Sequence, residues 1–433
     1  MADANIPAVQ VALDFLEMSR ALKCAREAAA GGAVRIEAGT PLIKSEGLDS
    51  VRTLRAEFPD ATIVADLKTM DAGRIEMEAA AKAGADIAMV LGGASDATVK
   101  ECIEAGRNYG IDVGMDLLGA ADPVARAKQA QEWGISEIHV HLAIDDQMRG
   151  GTPLDLLKKI AEVATVPVGV AGGLHSGNVV DATAAGADIL VIGGSITKAE
   201  DATVATREIV TALETGEAKA PRLFKRGGED EILDVLRTVS AANLSDALHR
   251  GGVVRGIRPI APGLRLAGRA VTVRTFPGDW AKPVEAIDLA GPGDVIVVDC
   301  GGVPPAIWGE LATNSAVNRG VEGLVVDGAI RDSGDIRESG FPAFTRHVTP
   351  NAGEPKGFGE IGVTVNVGGV RVAPGDWVLG DDDGVVIVPK DRAVEYANRA
   401  MDVLERENRI RAEIRAGSTL SKVVDLLRWE KTR

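Results

Sequence analysis

The sequence is poor in the residues that build disulfide frameworks, cysteine-rich metal sites and aromatic stacking surfaces. Its 433 residues include 3 cysteines, and aromatic residues make up 3% of the chain. Cys24, Cys102 and Cys300 are scattered singly, with no CxxC pair and no histidine at metal-ligand spacing. We therefore expect neither a disulfide framework nor a zinc site, and a reducing cytoplasm fits this cysteine usage best.

Clustered positive charge and long apolar runs are missing too. Lys and Arg number 48 against 63 Asp and Glu, which gives a formal net charge of -15. Because nucleic-acid phosphates are bound by clustered Lys and Arg, we expect no nucleic-acid partner. No uninterrupted stretch of apolar residues is long enough for a membrane span, and the first residues lack the apolar core of a signal peptide. Membrane insertion and secretion are therefore not expected.

Glycine is abundant, with 51 residues, and apolar residues make up 45% of the chain. This balance is typical of α/β proteins with many tight turns between strands and helices. A chain of 433 residues exceeds what one hydrophobic core usually organises. Two domains of roughly 200 residues each are the natural expectation.

Short apolar runs recur regularly between Val9 and Ile192. The segments between them carry helix-forming residues with apolar positions at helical spacing. Eight such alternations predict a parallel sheet closed into a (β/α)8 TIM barrel over residues 1–215. The eight runs are VQVALDF, AVRIEAG, TIVADLK, DIAMVLG, DVGMDLL, EIHVHLA, VPVGVAGG and DILVIGG.

Charged residues stand at the carboxyl ends of five of these predicted strands, where barrel active sites are assembled. Any one of them could simply leave the core for solvent, but five together weaken that explanation. His139 shares a face with His141 and is expected to be a hydrogen-bonded interior histidine, whereas His141 is assigned to the chemistry. The strand-end residues are Asp14, Glu37, Asp66 with Lys68, Asp116 and His141.

Paired glycines follow the last two runs, as Gly172-Gly173 and Gly193-Gly194. In barrels of this kind the loops after strands seven and eight commonly bind phosphate through bare backbone. A glycine pair also suits an ordinary turn, but two pairs at these two strands predict a phosphate site.

Several segments resemble one enzyme family: QVALD from Gln10, EAGTP from Glu37, DLKTMD from Asp66 and the two glycine pairs. Residues 1 to about 215 resemble the 3-hexulose-6-phosphate synthases of the orotidine-monophosphate-decarboxylase superfamily. The DxKxxD pattern is shared by that whole superfamily, including orotidine monophosphate decarboxylase and 3-keto-L-gulonate-6-phosphate decarboxylase. The EAGT segment narrows the resemblance to the last enzyme and the synthase, which use a metal.

The resemblance implies that Glu37 and Asp66 hold Mg²⁺ or another divalent cation on the ketose oxygens of ribulose 5-phosphate. Lys68 would act as an electrostatic partner of those oxygens, and His141 as a general base or acid. Loss of a proton from carbon one would give an enediolate. This enediolate would attack formaldehyde and give 3-hexulose 6-phosphate, or the reverse reaction would occur. The remaining candidates are Asp14 as a catalytic residue and Thr40 as a substrate-binding residue.

Two further positions bear on the reaction and on assembly. The related decarboxylases carry an Arg three residues after the histidine that matches His141. In this sequence that position is Ile144. This favours the synthase over the alternative, a decarboxylase of a sugar-acid phosphate. The resemblance also implies a dimer in which Asp71 reaches the neighbouring subunit's active site. From the residues alone, Asp71 could instead cap the following helix.

The barrel pattern ends near Leu213, and the polar residues 216–230 are predicted to form a linker. After a predicted helix over residues 231–250, Val-rich strand patterns follow one another. Tight turns between them indicate hairpins or short loops, so residues 231–433 are predicted to form an α+β domain. The turns are the Pro-Gly-Asp triplets at Pro277, Pro292 and Pro374.

The second half resembles the family that contains 4-hydroxy-4-methyl-2-oxoglutarate aldolase and the regulator of ribonuclease activity A. The resemblance implies a swivelling β/β/α-like fold. The segments are RLAGRAVTV, PGDVIVVD, VDGAIRD, PGDWVLGDDDGVVIVP and Gly309-Glu310. The resemblance implies that Asp332 carries Mg²⁺, that Arg331 orients a 2-oxo acid and that Glu310 in the substrate site holds a metal-bound water. From the residues alone, Arg331-Asp332 could be a surface ion pair.

The two resemblances imply a homo-oligomer with barrel dimers and C-terminal trimers. They also imply small-molecule partners, namely a sugar phosphate, formaldehyde and a 2-oxo acid. The alternative for the second half is a non-catalytic assembly or ribonuclease-binding module. The presence of Glu310, Arg331 and Asp332 argues against a purely passive module.

Overall fold

The computed structural model describes residues 6–221, 223 and 226–424. These residues separate into two compact units. The first unit holds the described residues of Met1–Gln147, Gly151–Lys225 and Glu405–Arg433, and the second holds those of Met148–Gly150 and Arg226–Leu404. Along the described chain, no helix is both long enough and apolar enough to cross a membrane.

In the predicted linker, residues 216–230, the described positions before Glu229 form neither helix nor strand. The segment ends in a short 3-10 turn, Glu229–Glu231. Arg222, Phe224 and Lys225 lie outside the described residues. The sequence-based boundaries assign everything after residue 231 to the second domain, whereas the structure groups the described residues after 404 with the barrel.

The first unit contains eight parallel strands that close into a barrel, as predicted. Closure pairs the first strand with the last, with Ala8 opposite Ile189 and Val11 opposite Ile192. The strands are β1 (Ala8–Leu13), β2 (Arg35–Ala38), β3 (Thr62–Thr69), β4 (Ile87–Leu91), β5 (Asp112–Asp116), β6 (Glu137–His141), β7 (Val168–Ala171) and β8 (Ile189–Ile192).

Helices alternate with these strands, and their ends follow local sequence signals. Ser95 and Asp122 accept main-chain N–H bonds at helix starts. Gly84, Gly110 and Gly134 end helices in the left-handed conformation that glycine adopts without steric cost. The helices are α1 (Met18–Gly31), α2 (Thr40–Glu46), α3 (Asp49–Glu57), α4 (Gly73–Ala83), α5 (Asp96–Tyr109), α6 (Pro123–Trp133), α7 (Ile144–Gln147), α8 (Leu154–Ala161), α9 (Val179–Ala184), α10 (Gly194–Thr197) and α11 (Ala202–Thr215).

The largest apolar cluster of the first unit is formed by strand and helix side chains. Leu13, Ile36, Ile63, Met77 and Ile138 are among its fully buried members. Full burial of such a side chain contributes about 1.5–3 kcal/mol each. Because strand residues alternate in direction, the neighbours of these apolar strand residues face the barrel interior. The polar residues of the barrel lie at those neighbouring positions.

The second unit is built on a nine-stranded mixed sheet in the order β10-β14-β13-β12-β11-β18-β19-β9, with β15 paired to β11. Strands β11 to β14 are parallel and joined by helices, while β18–β19 and the separate β16–β17 pair are antiparallel. The strands are β9 (Val253–Val254), β10 (Arg258–Pro259), β11 (Leu266–Arg274), β12 (Asp294–Asp299), β13 (Gly323–Ile330), β14 (Ala343–Val348), β15 (Glu360–Ile361), β16 (Val365–Val367), β17 (Val370–Val372), β18 (Trp377–Asp381) and β19 (Gly384–Val388).

Sequence predicted only part of these connections. The glycine of each Pro-Gly-Asp triplet has a positive φ, as a tight turn requires, with 81° at Gly278, 84° at Gly293 and 83° at Gly375. Hairpins join some of the Val-rich strands, but helices join the four central ones. The pattern did not reveal this because buried parallel strands and hairpin strands can both be Val-rich.

The predicted helix over residues 231–250 is two helices. Ser240 interrupts it, because its side chain accepts the N–H of Asn243 and starts a second helix. The helices of this part of the chain are α12 (Ile232–Thr238), α13 (Ala241–Ala247), α14 (Ala281–Leu289), α15 (Glu310–Asn318), α16 (Ser333–Ser339), α17 (Ala393–Arg415) and α18 (Leu420–Val423), with a 3-10 turn at Lys390–Arg392.

Candidate active site

A chain of hydrogen bonds joins Asp66, Lys68, Asp116 and His141 at the carboxyl ends of β3, β5 and β6. Lys68 Nζ donates to Asp66 Oδ1 at 3.1 Å and to Asp116 Oδ2 at 2.9 Å. His141 Nδ1 lies 2.7 Å from the same Asp116 oxygen. Side-chain exposure rises from 5% at Asp116 to 23% at His141. The chain therefore ends in an imidazole that a substrate can reach.

The charges in this chain stabilise one another. Burial by itself would raise the pKa of Asp116, but the bond to His141 and the charges of His141 and Lys68 lower it well below its ordinary value. Burial likewise disfavours the charged form of Lys68, but Asp66 and Asp116 outweigh it and raise the pKa of the ammonium. Asp116 is therefore an anion and Lys68 a cation at neutral pH.

A backbone irregularity places Lys68. Its φ is 48°, a left-handed value that is uncommon for a residue with a Cβ. The register of β3 against β4 shifts between Ala65 and Thr69. Such bulges re-aim side chains next to active sites. With this irregularity in the strand, the Lys68 ammonium lies 3.1 Å from Asp66 Oδ1.

Carboxylates from neighbouring strands repel one another at this mouth of the barrel. Glu37 lies on β2 and is 7% exposed. Burial, followed by the charges of Asp66 and Asp14, raises the pKa of Glu37 well above its ordinary value, against the opposing bond from Gln10. Asp14 is exposed, but much of its carboxylate is surrounded by protein. This partial burial is the main cause that raises the pKa of Asp14, and the charge of Asp66 is the second. A cation bound among these groups would relieve the repulsion.

Glu37 and Asp66 carry the oxygen ligands that suit a divalent cation. Mg²⁺ is usually held by one or two carboxylates, with waters or substrate oxygens at its other positions. Within the described residues, no group of three or more His, Cys, Asp or Glu side chains is arranged to hold a metal ion. Glu37 and Asp66 are therefore only candidate ligands for such an ion.

The EAGT segment holds two of these carboxylates in place. Thr40 Oγ1 lies 2.8 Å from both Oδ2 and the main-chain oxygen of Asp66, and donates to that residue. A Cβ on Gly39 would collide with Oδ1 of Asp14, so only glycine allows the carboxylate this approach. Thr40, predicted as a substrate-binding residue, thus contacts a metal-ligand candidate.

The predicted phosphate glycines follow β7 and β8. The loop after β8 reaches the carboxylates, since a Cβ on Gly193 would lie 3.8 Å from Oδ2 of Asp14. The Gly172 backbone has a φ of 112°, and a Cβ there would lie 2.7 Å from the oxygen of Leu142, so this position also requires glycine. The four glycines are Gly172, Gly173, Gly193 and Gly194.

The sequence prediction missed two features of these loops: a hydrogen bond from Ser195 and the ammonium of Lys198. Ser195 Oγ donates to the main-chain oxygen of Leu174 at 2.5 Å and so ties the two glycine loops together. Lys198 Nζ lies 3.1 Å from the position of a Cβ on Gly194, so an ammonium stands beside the glycine backbone. The sequence signal for this cation was Lys198, which stands four residues after Gly194.

A second polar network fills the barrel interior. Arg35 Nη2 donates to both carboxylate oxygens of Glu137, at 2.7 Å and 2.8 Å, and Arg35 Nε donates to Gln10 Oε1 at 2.7 Å. His139 Nε2 lies 2.8 Å from Glu137 Oε1, which confirms the expected interior histidine. Gln10 also donates to Glu37, so the network supports a metal-ligand candidate. Arg35 and Glu137 were not predicted, because a charged residue early in a strand gives no sign of burial.

Asp71 lies apart from this cluster and is exposed. Its Oδ1 accepts the N–H of Ala72 at 2.7 Å. Helix α4 begins after Ala72 without a side-chain cap, so the alternative role of Asp71 as a helix cap is not observed. Its role across a subunit boundary stays a prediction.

In the second unit, Glu310, Arg331 and Asp332 lie together. The N–H of Glu310 donates to Asp332 Oδ2 at 3.1 Å, and Arg331 Nε lies 3.5 Å from the same oxygen. The side chains of Arg331 and Asp332 are 45% and 37% exposed, so both are open to a ligand. Asp332 has a φ of 55°, an uncommon backbone state that recurs at functional sites. The geometry unites the three predicted residues.

Known proteins match the two halves separately. Residues 7–209 match the model of the orotidine 5'-phosphate decarboxylase / HUMPS family, and residues 241–387 match the RraA-like model, described as Aldolase/RraA. The 3-hexulose-6-phosphate synthase of Mycobacterium gastri is 38% identical over 205 residues, which are 47% of this chain and 99% of that protein. The synthase of Methylomonas aminofaciens is 41% identical over 207 residues, covering 46% of this chain and 96% of its own.

Among solved structures, the RNA-processing inhibitor RraA from Thermus thermophilis is 32% identical, with a TM-score of 0.33, and the match covers 34% of this chain and 92% of that one. The barrel fold and the two family matches agree with the resemblances seen in the sequence. The chain belongs to the orotidine 5'-phosphate decarboxylase / HUMPS family through its barrel, which is fused to an RraA-like domain.

Proposed function

We propose that the barrel is a Mg²⁺-dependent aldehyde-lyase that condenses ribulose 5-phosphate with formaldehyde to 3-hexulose 6-phosphate and catalyses the reverse reaction. The bonded chain from Asp66 through Lys68 and Asp116 to His141 is the observation that carries the proposal. It sets a carboxylate, a fixed ammonium and an acid–base imidazole side by side. The 38% identity to a protein with that activity supports the same reaction.

His141 would move the proton. Its Nδ1 is held by Asp116, so the opposite nitrogen, Nε2, would take the proton from carbon one of ribulose 5-phosphate. The Asp116 carboxylate would stabilise the imidazolium that forms. The enediolate then forms the carbon–carbon bond to formaldehyde, and the aldehyde oxygen takes a proton as it becomes a hydroxyl. His141 can return the same proton, which balances the reaction.

Lys68 would stabilise the negative charge that develops on the ketose oxygens. Asp66 and Asp116 hold its ammonium before substrate binds, so no reorganisation is needed as that charge appears. Mg²⁺ bound at Glu37 and Asp66 would supply Lewis-acid stabilisation of the same oxygens.

The substrate phosphate would bind at the loops after β7 and β8. Backbone amides of the Gly172-Gly173 and Gly193-Gly194 pairs can approach an anion because no Cβ blocks them. The Lys198 ammonium beside Gly194 adds positive charge at the same loop. This arrangement supports a phosphorylated sugar as substrate.

The second unit supports a separate proposal, a lyase that acts on a 2-oxo acid. Arg331 would orient the acid's carboxylate, while Asp332 would carry a divalent cation and Glu310 would hold its water. The adjacent placement of these three residues, with Arg331 and Asp332 exposed, supports this proposal. An assembly or ribonuclease-binding role for this domain is the competing outcome.

The decisive experiment supplies the purified protein with ribulose 5-phosphate, formaldehyde and Mg²⁺ and follows the loss of formaldehyde. Asp66→Ala should abolish the activity, and chelation of divalent cations should do the same until Mg²⁺ is restored. Arg331→Ala is the matched control and should retain the activity, because Arg331 lies in the other unit. Full activity in the Asp66 variant would contradict the proposal.

A further inference from the structure

We propose that Arg409, near the end of α17, is a positioning residue for the phosphate-binding loop of the barrel, here called the β8 loop (residues 193–199). The inference rests on the proposed function of that loop. Arg409 belongs to the same compact unit as the barrel, and its side chain is 5% exposed. Its Nη1 donates to the main-chain oxygen of Ala199 at 2.7 Å. Ala199 directly follows Lys198 and ends the loop.

The rest of the guanidinium is fixed by two carboxylates. Nη2 of Arg409 donates to Glu27 Oε2 on α1 at 3.0 Å, and Nε donates to Glu413 Oε1 on α17 at 3.2 Å. A planar guanidinium presents its donors in a rigid fork. Because a buried cation is costly without its partners, all three bonds are expected to persist together. The Ala199 oxygen is therefore held at a set distance from α1.

The β8 loop is held from two sides. Inside it, the N–H of Ile196 donates to Gly193 O at 2.9 Å and that of Lys198 to Gly194 O at 3.0 Å, which forms one short helical turn. Ser195 ties one side of the turn to the loop after β7. Ala199 follows this turn, and Arg409 donates a hydrogen bond to its main-chain oxygen. The position of the glycine backbone and of the Lys198 ammonium depends on both restraints.

The anchor is an addition to the barrel. The match to the Mycobacterium gastri synthase covers 205 residues, which are 99% of that protein and 47% of this chain. Almost all of that relative therefore aligns with the barrel, and none of the aligned part corresponds to α17. In this chain, a helix that follows the RraA-like domain in sequence contributes to the predicted sugar-phosphate site.

The test compares Arg409→Met with the wild type in the full-length protein. We expect the KM for ribulose 5-phosphate to rise roughly tenfold with kcat little changed, because the loop is displaced while the acid–base residues are not. The inhibition constant of inorganic phosphate should rise by a similar factor, and the Mg²⁺ dependence should stay the same. Arg411→Ala, on the same helix and 45% exposed, is the control and should match the wild type.

Arg409→Lys protects the test against a folding defect. It keeps the positive charge between Glu27 and Glu413 but has no fork to reach Ala199, so it should show the same rise in KM with a near-native Tm. Hydrogen exchange of the amides in the β8 loop should become faster in both variants. The exchange of amides in the barrel strands should stay the same.

Two results would overturn the inference. Unchanged KM and phosphate inhibition in both Arg409 variants, alongside a raised KM in Lys198→Ala, would show that the anchor is not needed. A fall in kcat with unchanged KM would assign Arg409 a general structural role. Failure of the wild type to bind either phosphate compound would instead contradict the proposed function, and the hydrogen-exchange comparison would still measure the anchor.

Discussion

Asp116 Oδ2 lies 2.7 Å from Nδ1 of His141 and accepts a bond from Lys68 at 2.9 Å. The other carboxylate oxygen of Asp116 accepts the N–H of Leu118 at 2.9 Å, so the end of β5 fixes the carboxylate. One buried anion thus holds both the imidazole and the ammonium of the site. This relationship sets which ring nitrogen of His141 faces the barrel mouth.

Replacing this anion should damage turnover more than binding. Asp116→Asn keeps the size of the side chain but removes the charge that stabilises the imidazolium. We expect kcat for formaldehyde consumption to fall by a factor of about 10²–10⁴, which is what a positioned acid–base group contributes. Steady-state kinetics measures this, with Asp112→Asn at the start of the same strand as the control. A kcat equal to that of the wild type would remove Asp116 from the mechanism.

The residue at position 144 should separate the synthase from the decarboxylase. Ile144 is 55% exposed, so Ile144→Arg should fold normally. We expect the variant to lose formaldehyde-condensing activity, since the new cation would act on the enediolate. Release of carbon dioxide from 3-keto-L-gulonate 6-phosphate should be assayed in parallel. A wild type that decarboxylates this compound and ignores formaldehyde would establish the alternative function.

The interior pair of Glu137 and Arg35 should contribute to stability in a pH-dependent way. Burial favours the neutral acid, but His139 and Arg35 outweigh it and lower the pKa of Glu137 from 4.5 to about 2. Because the folded-state pKa is depressed, the stabilisation is complete above pH 4.5 and is lost as the pH falls towards 2. Glu137→Gln should therefore cost roughly 3–5 kcal/mol at neutral pH, as breaking a buried ion pair does.

Urea unfolding at several pH values measures this difference. The gap in unfolding free energy between wild type and Glu137→Gln should narrow as the solution is acidified below pH 4.5. Glu57→Gln, which breaks an exposed pair with Arg26, should change stability little at any pH. A gap that stays constant with pH would mean that Glu137 does not act through its charge.

The second unit should be tested by the release of pyruvate from a 4-hydroxy-2-oxo acid or from oxaloacetate. If the domain is a lyase, Arg331→Ala should lose this activity, because no other group in the trio can pair with the acid's carboxylate. Arg337→Ala, on an exposed face of α16, should keep it. Equal and negligible turnover in the wild type and in Arg331→Ala would favour an assembly role.

Much of the barrel could be predicted from the sequence. Each of the eight apolar runs overlaps one of the eight strands, and glycine ended the helices where it was expected. These features are local, because strand periodicity and helix termination depend on residues close together in the chain. Strand ends also predicted Asp14, Glu37, Asp66 and His141 as candidate site residues, since parallel strands present their carboxyl ends at one mouth.

The partnerships inside the site could not be predicted. Asp116 was noticed at a strand end, yet nothing in the sequence linked it to Lys68 and His141, which are 48 and 25 residues away. The Arg35–Glu137 pair spans 102 residues, and the Arg409–Glu27 pair spans 382. Such contacts depend on barrel closure and on the return of α17, which no local pattern encodes.

By itself the sequence determined the order of strands and helices in the barrel and the chemical types at its strand ends, because periodicity, turn residues and motif residues act over short distances along the chain. Only the tertiary structure decided which carboxylate holds which cation, how the bulge at Lys68 aims its ammonium, and that Arg409 anchors the β8 loop. The physical reason is that hydrogen bonds and ion pairs form between atoms a few ångströms apart in space, and the closed sheet sets those distances.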